Sequence, residues 1–238
     1  MRTKATAFDE TFDRFADIVG SDYVLTDAES CVLYSQDVFT KNIPAVAVIL
    51  PGDKFQLAEI VGVAVKSNYD VIPRGGGMSY TSGYVPATIN SIIIDLGRID
   101  QVLEINEEDM FVTVECGCTW NKLHDALKGT GLRTPFWGSL SGLMATVGGG
   151  LSQNAIFWGS GQFGTAADSV LGLEVVLADG SIIKTGSDAQ VNGSPFFRHF
   201  GPDLTGIFTS DAGAFGFKVS ATLRLIPELN AKRFAAFE

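Results

Sequence analysis

VIPRGGGMS, residues 71–79, sets three consecutive glycines and an arginine directly behind a short β-branched run. Val71 and Ile72 read as a strand. Gly75, Gly76 and Gly77 carry no side chains, so their backbone N–H groups can converge on an anion, and Arg74 adds charge. The ligand implied is a phosphate or pyrophosphate. Alone, the signal is weak, since a glycine run is more often a tight turn. Neither common nucleotide motif is present: there is no GxxxxGK[ST], and no GxGxxG at a strand-to-helix turn.

Upstream, residues 45–50 (AVAVIL) read as a short buried strand, and Pro51-Gly52-Asp53 turns the chain. Asp53 is placed to cap a helix over 54–67, whose Phe55, Leu57, Ile60, Val61, Ala64 and Val65 mark a broad buried face. Residues 45–72 are therefore a β-α-β unit, for which parallel pairing is the natural result. Phe8, Phe12, Phe15 and Val19 recur at helical spacing, and residues 91–96 read as a further strand.

Downstream of residue 99 the rhythm changes. Residues 102–106 and 110–115 alternate around Glu107-Glu108-Asp109, a solvated turn, and predict an antiparallel hairpin. Thr119 caps a helix to about Lys128, with Trp120, Leu123 and Leu127 inward. Asp179-Gly180 between 171–177 and 181–184 predicts a hairpin with a tight primed turn, and 215–226 a long final strand. The expected fold is α+β: a small β-α-β layer over about residues 1–97, then a larger antiparallel sheet flanked by helices over 98–228.

Composition narrows the function. Glycine is in excess, 27 of 238 residues, but it is clustered among β-branched residues, as where a backbone must approach something closely. Hydrophobic residues at 46% and charged residues at 18% exclude a disordered chain. With 17 Lys+Arg against 27 Asp+Glu the net charge is −10, which argues against nucleic acid or an anionic membrane as partner. Mean hydropathy is +0.22, yet no apolar run approaches the roughly 20 residues of a spanning helix. MRTKATAFDE lacks an apolar signal core, so a cytoplasmic protein is expected. Cys31, Cys116 and Cys118 give neither a disulfide framework nor zinc spacing; Cys116 and Cys118 read as buried thiols rather than a redox pair.

Two further glycine clusters follow the first. Residues 139–154 (SLSGLMATVGGGLSQN) join small hydroxyl residues to Gly148–Gly150 and to Ser152, Gln153 and Asn154; residues 210–217 (SDAGAFGF) precede the last strand. At these places, with GQFGTAAD leading into SVLGLEVVLADG, the sequence resembles the FAD-binding domain of the vanillyl-alcohol oxidase / para-cresol methylhydroxylase superfamily of FAD-linked oxidases. The resemblance covers about residues 40–228. It implies two subdomains with extended FAD between them. It also implies a hydride accepted from a small alcohol or hydroxy-acid substrate.

Roles carry over by position. Pro73, Arg74, Gly75, Gly76, Gly77, Met78 and Ser79 resemble the pyrophosphate cradle. Ser139, Leu140, Ser141, Thr146, Gly148, Gly149, Ser152, Gln153 and Asn154 fall in the stretches lining the ribityl chain and flavin. Val170 resembles the position whose backbone meets the adenine, and Ala214, Phe215, Gly216 and Phe217 the segment closing over it. Relatives with doubly bonded flavin carry a histidine after the first glycines and a cysteine before TVG. Here Met78 and Met144 stand there, so FAD is expected to be non-covalent. Residues 228–238 (ELNAKRFAAFE) open a new alternating segment, as where the family's substrate domain begins, and a substrate-binding half is expected beyond. Catalytic residues are not identified: His124 reads as a surface residue, His199 beside Arg198 as a loop residue, and Trp137 and Trp158 as aromatic core. A stand-alone FAD-binding module and a non-flavin nucleotide or sugar-phosphate binder are the alternatives, and a homo-oligomer stays open.

Overall fold

The computed structural model describes residues 4–231, 233 and 235. Of the final segment, residues 228–238, on which the start of a further domain was expected, residues 232, 234 and 236–238 lie outside the described residues. Helix α1 (Lys4–Val19) begins earlier than its aromatic spacing predicts. After β1 (Val24–Leu25), the short α2 (Ala28–Tyr34) is capped by Asp27, which accepts from the Ser30 N–H at 2.8 Å. Strand β2 (Ala47–Ile49), α3 (Lys54–Lys66) and β3 (Asp70–Arg74) form the expected strand–helix–strand unit. Asp53 caps α3 by accepting from the N–H groups of Phe55 and Gln56, a contact worth about 1 kcal/mol.

The two strands of that unit are parallel but are not neighbours. Strand β4 (Ser91–Asp95) lies between them, in the order β1-β2-β4-β3, and pairs parallel with both. All five of its residues are buried, which suits the central place in a sheet covered on both faces. Alternation divides its side chains. Ile92 and Ile94 join the core of α1 and α3 with Phe15, Leu57 and Ile60, while Ile93 packs on the opposite face with Ala45 and Val48.

The second sheet is antiparallel throughout. Strands β5 (Val102–Asn106) and β6 (Phe111–Glu115) form the expected hairpin. Thr119 caps α4 (Trp120–Leu127), and β7 (Leu132–Arg133), α5 (Val147–Ser152) and α6 (Ser160–Phe163) follow. Strands β8 (Val170–Val176) and β9 (Ile182–Lys184), the short α7 (Leu204–Ile207), β10 (Phe217–Arg224) and β11 (Ile226–Pro227) complete the chain. The order is β5-β6-β10-β8-β9, with β10 central and the small pair β11-β7 apart.

Two expectations need correction. The long final strand is shorter than 215–226: Phe215 lies outside it, exposed, and Ile226 leaves to pair with Arg133. The Asp179-Gly180 connection is not a primed turn. The Gly180 N–H bonds the Leu177 carbonyl at 2.9 Å, and Gly180, not Asp179, takes positive φ (83°). That is a three-residue loop with glycine at its left-handed position, the other common way to close a hairpin. The sheets share a core, because Val176, Phe217 and Val219 pack in the same cluster as α1 and α3.

Candidate functional site

The loop leaving β3 runs against the segment that enters α5. A Cβ added at Gly76 would fall on the Met144 carbonyl oxygen, and one at Gly75 on Thr146 Oγ1. Gly77 takes a φ of 66°, which side chains rarely adopt. Among the described residues, no hydrogen bond uses the N–H groups of Gly75, Gly76, Gly77, Met78 or Ser79. A run of unpaired donors at a concave wall is the donor set an anionic group requires. Tyr84 props the far end of the loop, donating from its hydroxyl to the Ser79 carbonyl at 3.2 Å.

Arg74 is tied down behind the loop. Its Nη1 lies 3.4 Å from Asp95 Oδ2, and its guanidinium sits 4.6 and 5.5 Å from the ring centres of Tyr34 and Tyr84. Its Nε is buried without a partner. Burial pushes the Asp95 carboxyl above its ordinary value, outweighing the downward pull of the Gly97 N–H and of Arg74. Burial likewise raises the Tyr34 and Tyr84 phenols.

Thr146 caps α5, accepting from the Gly149 N–H at 3.1 Å. Gly148 donates to the Cys116 carbonyl and Gly150 to that of Thr146. Cβ atoms at Gly148 and Gly150 would lie 2.7 Å from Cys116 Cβ and 2.9 Å from Trp120 Nε1. The second glycine string thus brings α5 onto the end of β6 and the start of α4. Thr81 donates to Gln153 across the gap at 3.0 Å, and Asn154 Oδ1 accepts from the Ala167 N–H.

The remaining wall is the turn into β10. Asp211 Oδ1 accepts from the Gly213 N–H at 3.0 Å and from Lys218 Nζ at 2.8 Å. The side chains of Lys218 and Asp211 are 2% and 0% exposed. Beside them burial pushes the Cys116 thiol up to about 12, against a downward pull from Lys218, and the Cys118 thiol to about 11. Both thiols are free and buried, as expected of them.

These walls enclose a cavity of about 800 Å³, within the usual range for cofactor sites. It is lined by Pro73, Arg74, Gly75, Gly76, Gly77, Met78 and Ser79, by Ser139, Leu140 and Ser141, and by Thr146, Gly148, Gly149, Ser152, Gln153, Asn154 and Gly216. Val170, Ala214, Phe215 and Phe217 do not line it. Val170 is buried at the start of β8, and Phe217 points to the shared core. Lys218, Cys116, Leu96 and Tyr84 do line it and were missed. Strand alternation was the available signal for Lys218: if Gly216 faces the ligand, residue 218 faces it too. Of the two tryptophans neither reaches the cavity, and Trp158 is exposed, stacked on the lining residue Phe157. Arg198 is spent on Asp203 and the Ala167 carbonyl; His124 and His199 are exposed. A second hollow of about 470 Å³, between α1 and α3, is a surface groove lined by Arg14, Asp17 and Glu59 among others.

The cavity fits FAD on two counts: unpaired N–H donors for a diphosphate, and a volume in the range of cofactor sites. Among the described residues, no helix is long and apolar enough to cross a membrane and no group of side chains could hold a metal ion. Comparison with known proteins agrees. Glycolate oxidase subunit GlcD of Bacillus subtilis (strain 168) is 30% identical over 187 residues, covering 79% of this chain and 38% of that protein. A probable mitochondrial D-lactate dehydrogenase of Danio rerio is 29% identical over 241 residues, covering 98% and 46%. The solved structure of p-cresol methylhydroxylase matches with a TM-score of 0.83 at 22% identity, over 96% of this chain and 45% of that one, and shows the same fold. The chain spans less than half the length of these relatives. A family model described as FAD binding domain matches residues 45–186, and this chain belongs to that family of FAD-binding domains.

Proposed function

We propose that this chain is the flavin-binding portion of an FAD-linked oxidoreductase that acts on a small 2-hydroxy acid. The observation that carries the reading is the row of unpaired N–H groups from Gly75 to Ser79 on the wall of the cavity. In this reading those groups hold the diphosphate. Ser139, Leu140 and Ser141, with Ser152, Gln153 and Asn154, flank the ribityl chain and ring, and Thr146 braces α5 against the glycine loop. Residues up to about 97 and those from 98 to 228 act as two subdomains with the cofactor between them. Bound there, FAD supplies a ring that accepts a hydride from an activated C–H bond.

Of the lining residues, Leu140 (83%), Ile156 (74%) and Tyr80 (67%) are exposed, while Cys116 (1%), Lys218 (3%) and Leu96 (7%) are buried. A redox ring must meet substrate, so in this reading it lies beside the exposed residues. The 2-hydroxy acid class is supported by the names of the glycolate and D-lactate relatives. Non-covalent retention is supported by Met78 and Met144, since a thioether forms neither of the flavin links that histidine and cysteine form.

The test loads the chain with FAD and reads the visible flavin band. Acid precipitation is expected to leave FAD in the supernatant and add no mass to the protein; a covalent adduct would overturn that part. On anaerobic mixing, glycolate and D-lactate are expected to bleach the band slowly, because a ring beside exposed residues lacks substrate positioning and solvent exclusion. Aromatic alcohols are expected not to. Bleaching by aromatic alcohols alone would replace the substrate class, and no bleaching by any of them over hours would favour a stand-alone FAD-binding module.

A further inference from the structure

We propose that the Lys218 ammonium, held against Asp211 in the buried lining of the cavity, recognises the ADP half of FAD and makes the site select the dinucleotide over shorter flavins. The inference rests on the placement of FAD given above and adds a residue and a selectivity to it. A lysine in a strand interior is expensive to bury, and a buried ion pair by itself gains little over apolar side chains of similar volume. Its presence in the middle of the second sheet therefore asks for a reason beyond folding. Asp211 already has one, since it holds the turn by accepting from the Gly213 N–H.

Lys218 has no such use. An ammonium carries three donors, and among the described residues its hydrogen bond goes to Asp211. The lining holds two cations, Arg74 and Lys218. Arg74 is shared between Asp95 and the rings of Tyr34 and Tyr84 and keeps an unpartnered Nε; Lys218 has two donors beyond the one that Asp211 takes. With Cys116 and Leu96 it belongs to the buried part of the lining, whereas Leu140, Ile156 and Tyr80 are exposed. The anionic part of FAD is the diphosphate of its ADP moiety. Riboflavin lacks that moiety altogether.

Removing Lys218 alone would strand a buried carboxylate, so the informative variant changes both partners. Lys218→Met with Asp211→Asn keeps the local charge balanced and leaves no orphaned ion. Dissociation constants for FAD, ADP and riboflavin are measured on the full chain and on this double variant, with thermal unfolding of the unliganded proteins alongside. The proposal expects FAD and ADP each to weaken by about tenfold or more, with riboflavin unchanged. Equal loss for all three ligands, or FAD binding as in the parent, would overturn it. A parent chain that binds FAD no better than riboflavin would instead overturn the placement of FAD on which it rests.

If the double variant does not fold, the parent serves. Its slowly exchanging lysine ammonium resonance, the one burial assigns to Lys218, is expected to shift on adding ADP and to stay in place on adding riboflavin. No shift with ADP would equally overturn the proposal.

Discussion

The two strings Gly75–Gly77 and Gly148–Gly150 are identical on paper and opposite in the molecule. In the first, the backbone donors are unused in a loop that lines the cavity, and the loop is held by Tyr84 and by contact with residues 144–146. In the second, each N–H is spent: Gly148 on the Cys116 carbonyl, Gly149 on Thr146 Oγ1, Gly150 on the Thr146 carbonyl. The missing side chains of Gly148 and Gly150 make room for Cys116 and Trp120 rather than for a ligand. One string presents donors, and the other lets a helix approach a sheet. A glycine run can supply close approach of backbone to anything, and only the fate of its hydrogen bonds says to what.

The largest expected effect breaks the first string. In Gly76→Ala the new methyl meets the Met144 carbonyl oxygen, a backbone atom that no rotamer change can move aside. The loop must leave its seat, and its donors move with it. FAD affinity is expected to fall by more than about a hundredfold, as it would if several charge-assisted hydrogen bonds were lost together. Flavin fluorescence titration reads this directly. A larger charged replacement such as Gly76→Glu is a poorer test, because steric displacement and charge repulsion would act together. Parent-like affinity in Gly76→Ala would remove the loop from the cofactor site.

The second string predicts the reverse pattern. Gly148→Ala places a methyl 2.7 Å from Cys116 Cβ and 2.9 Å from its carbonyl oxygen, an overpacked contact expected to cost about 1–3 kcal/mol of stability. The donors of the first loop are untouched, so FAD affinity of the folded protein is expected to stay within about fivefold of the parent. Urea unfolding and titration on the same sample check both numbers. A variant with parent stability and lost FAD would show that Gly148 serves the ligand, and the contrast between the strings would fail.

Local chemistry in the chain was readable and long-range order was not. Asp53 and Thr119 cap the helices their side chains predict, because a cap is a contact between residues two or three apart. The insertion of β4 between β2 and β3 joins strands that lie far apart in the chain, and no short window carries it. At the site, the runs 73–79, 139–141 and 152–154 line the cavity because they are loops or helix ends, where neighbouring residues can face one ligand together. The run 214–217 does not line the cavity as a block: of its four residues Gly216 does so. It crosses into a strand, where Phe217 turns to the core and Lys218 to the cavity. The two kinds of glycine string were indistinguishable for a similar reason, since both carry the same residues and differ in what lies opposite.

The smallest expected effect concerns the residue on which the second string rests. Cys116 receives the Gly148 N–H on its carbonyl and is 1% exposed. Burial raises its thiol from an ordinary 9.0 to about 12. Below pH 9 the thiol is neutral in both the folded and unfolded chain, so its contribution to stability is intact. As the pH rises from 9 toward 12, the unfolded chain releases this proton and the folded chain does not, and stability drains away. At pH 10 the loss from Cys116 is about 1 kcal/mol. Cys118, raised to about 11, adds a similar drift, so the parent is expected to weaken through both thiols and Cys116→Ala through one. The quantity to compare is the change in urea stability between pH 8 and pH 10 under reducing conditions, parent against variant. That difference removes whatever the substitution costs at pH 8. If Cys116→Ala weakens over this interval as much as the parent, the thiol already ionises in the folded chain. Water would then reach the seam between α5 and β6, and Gly148 would not be sealed against it.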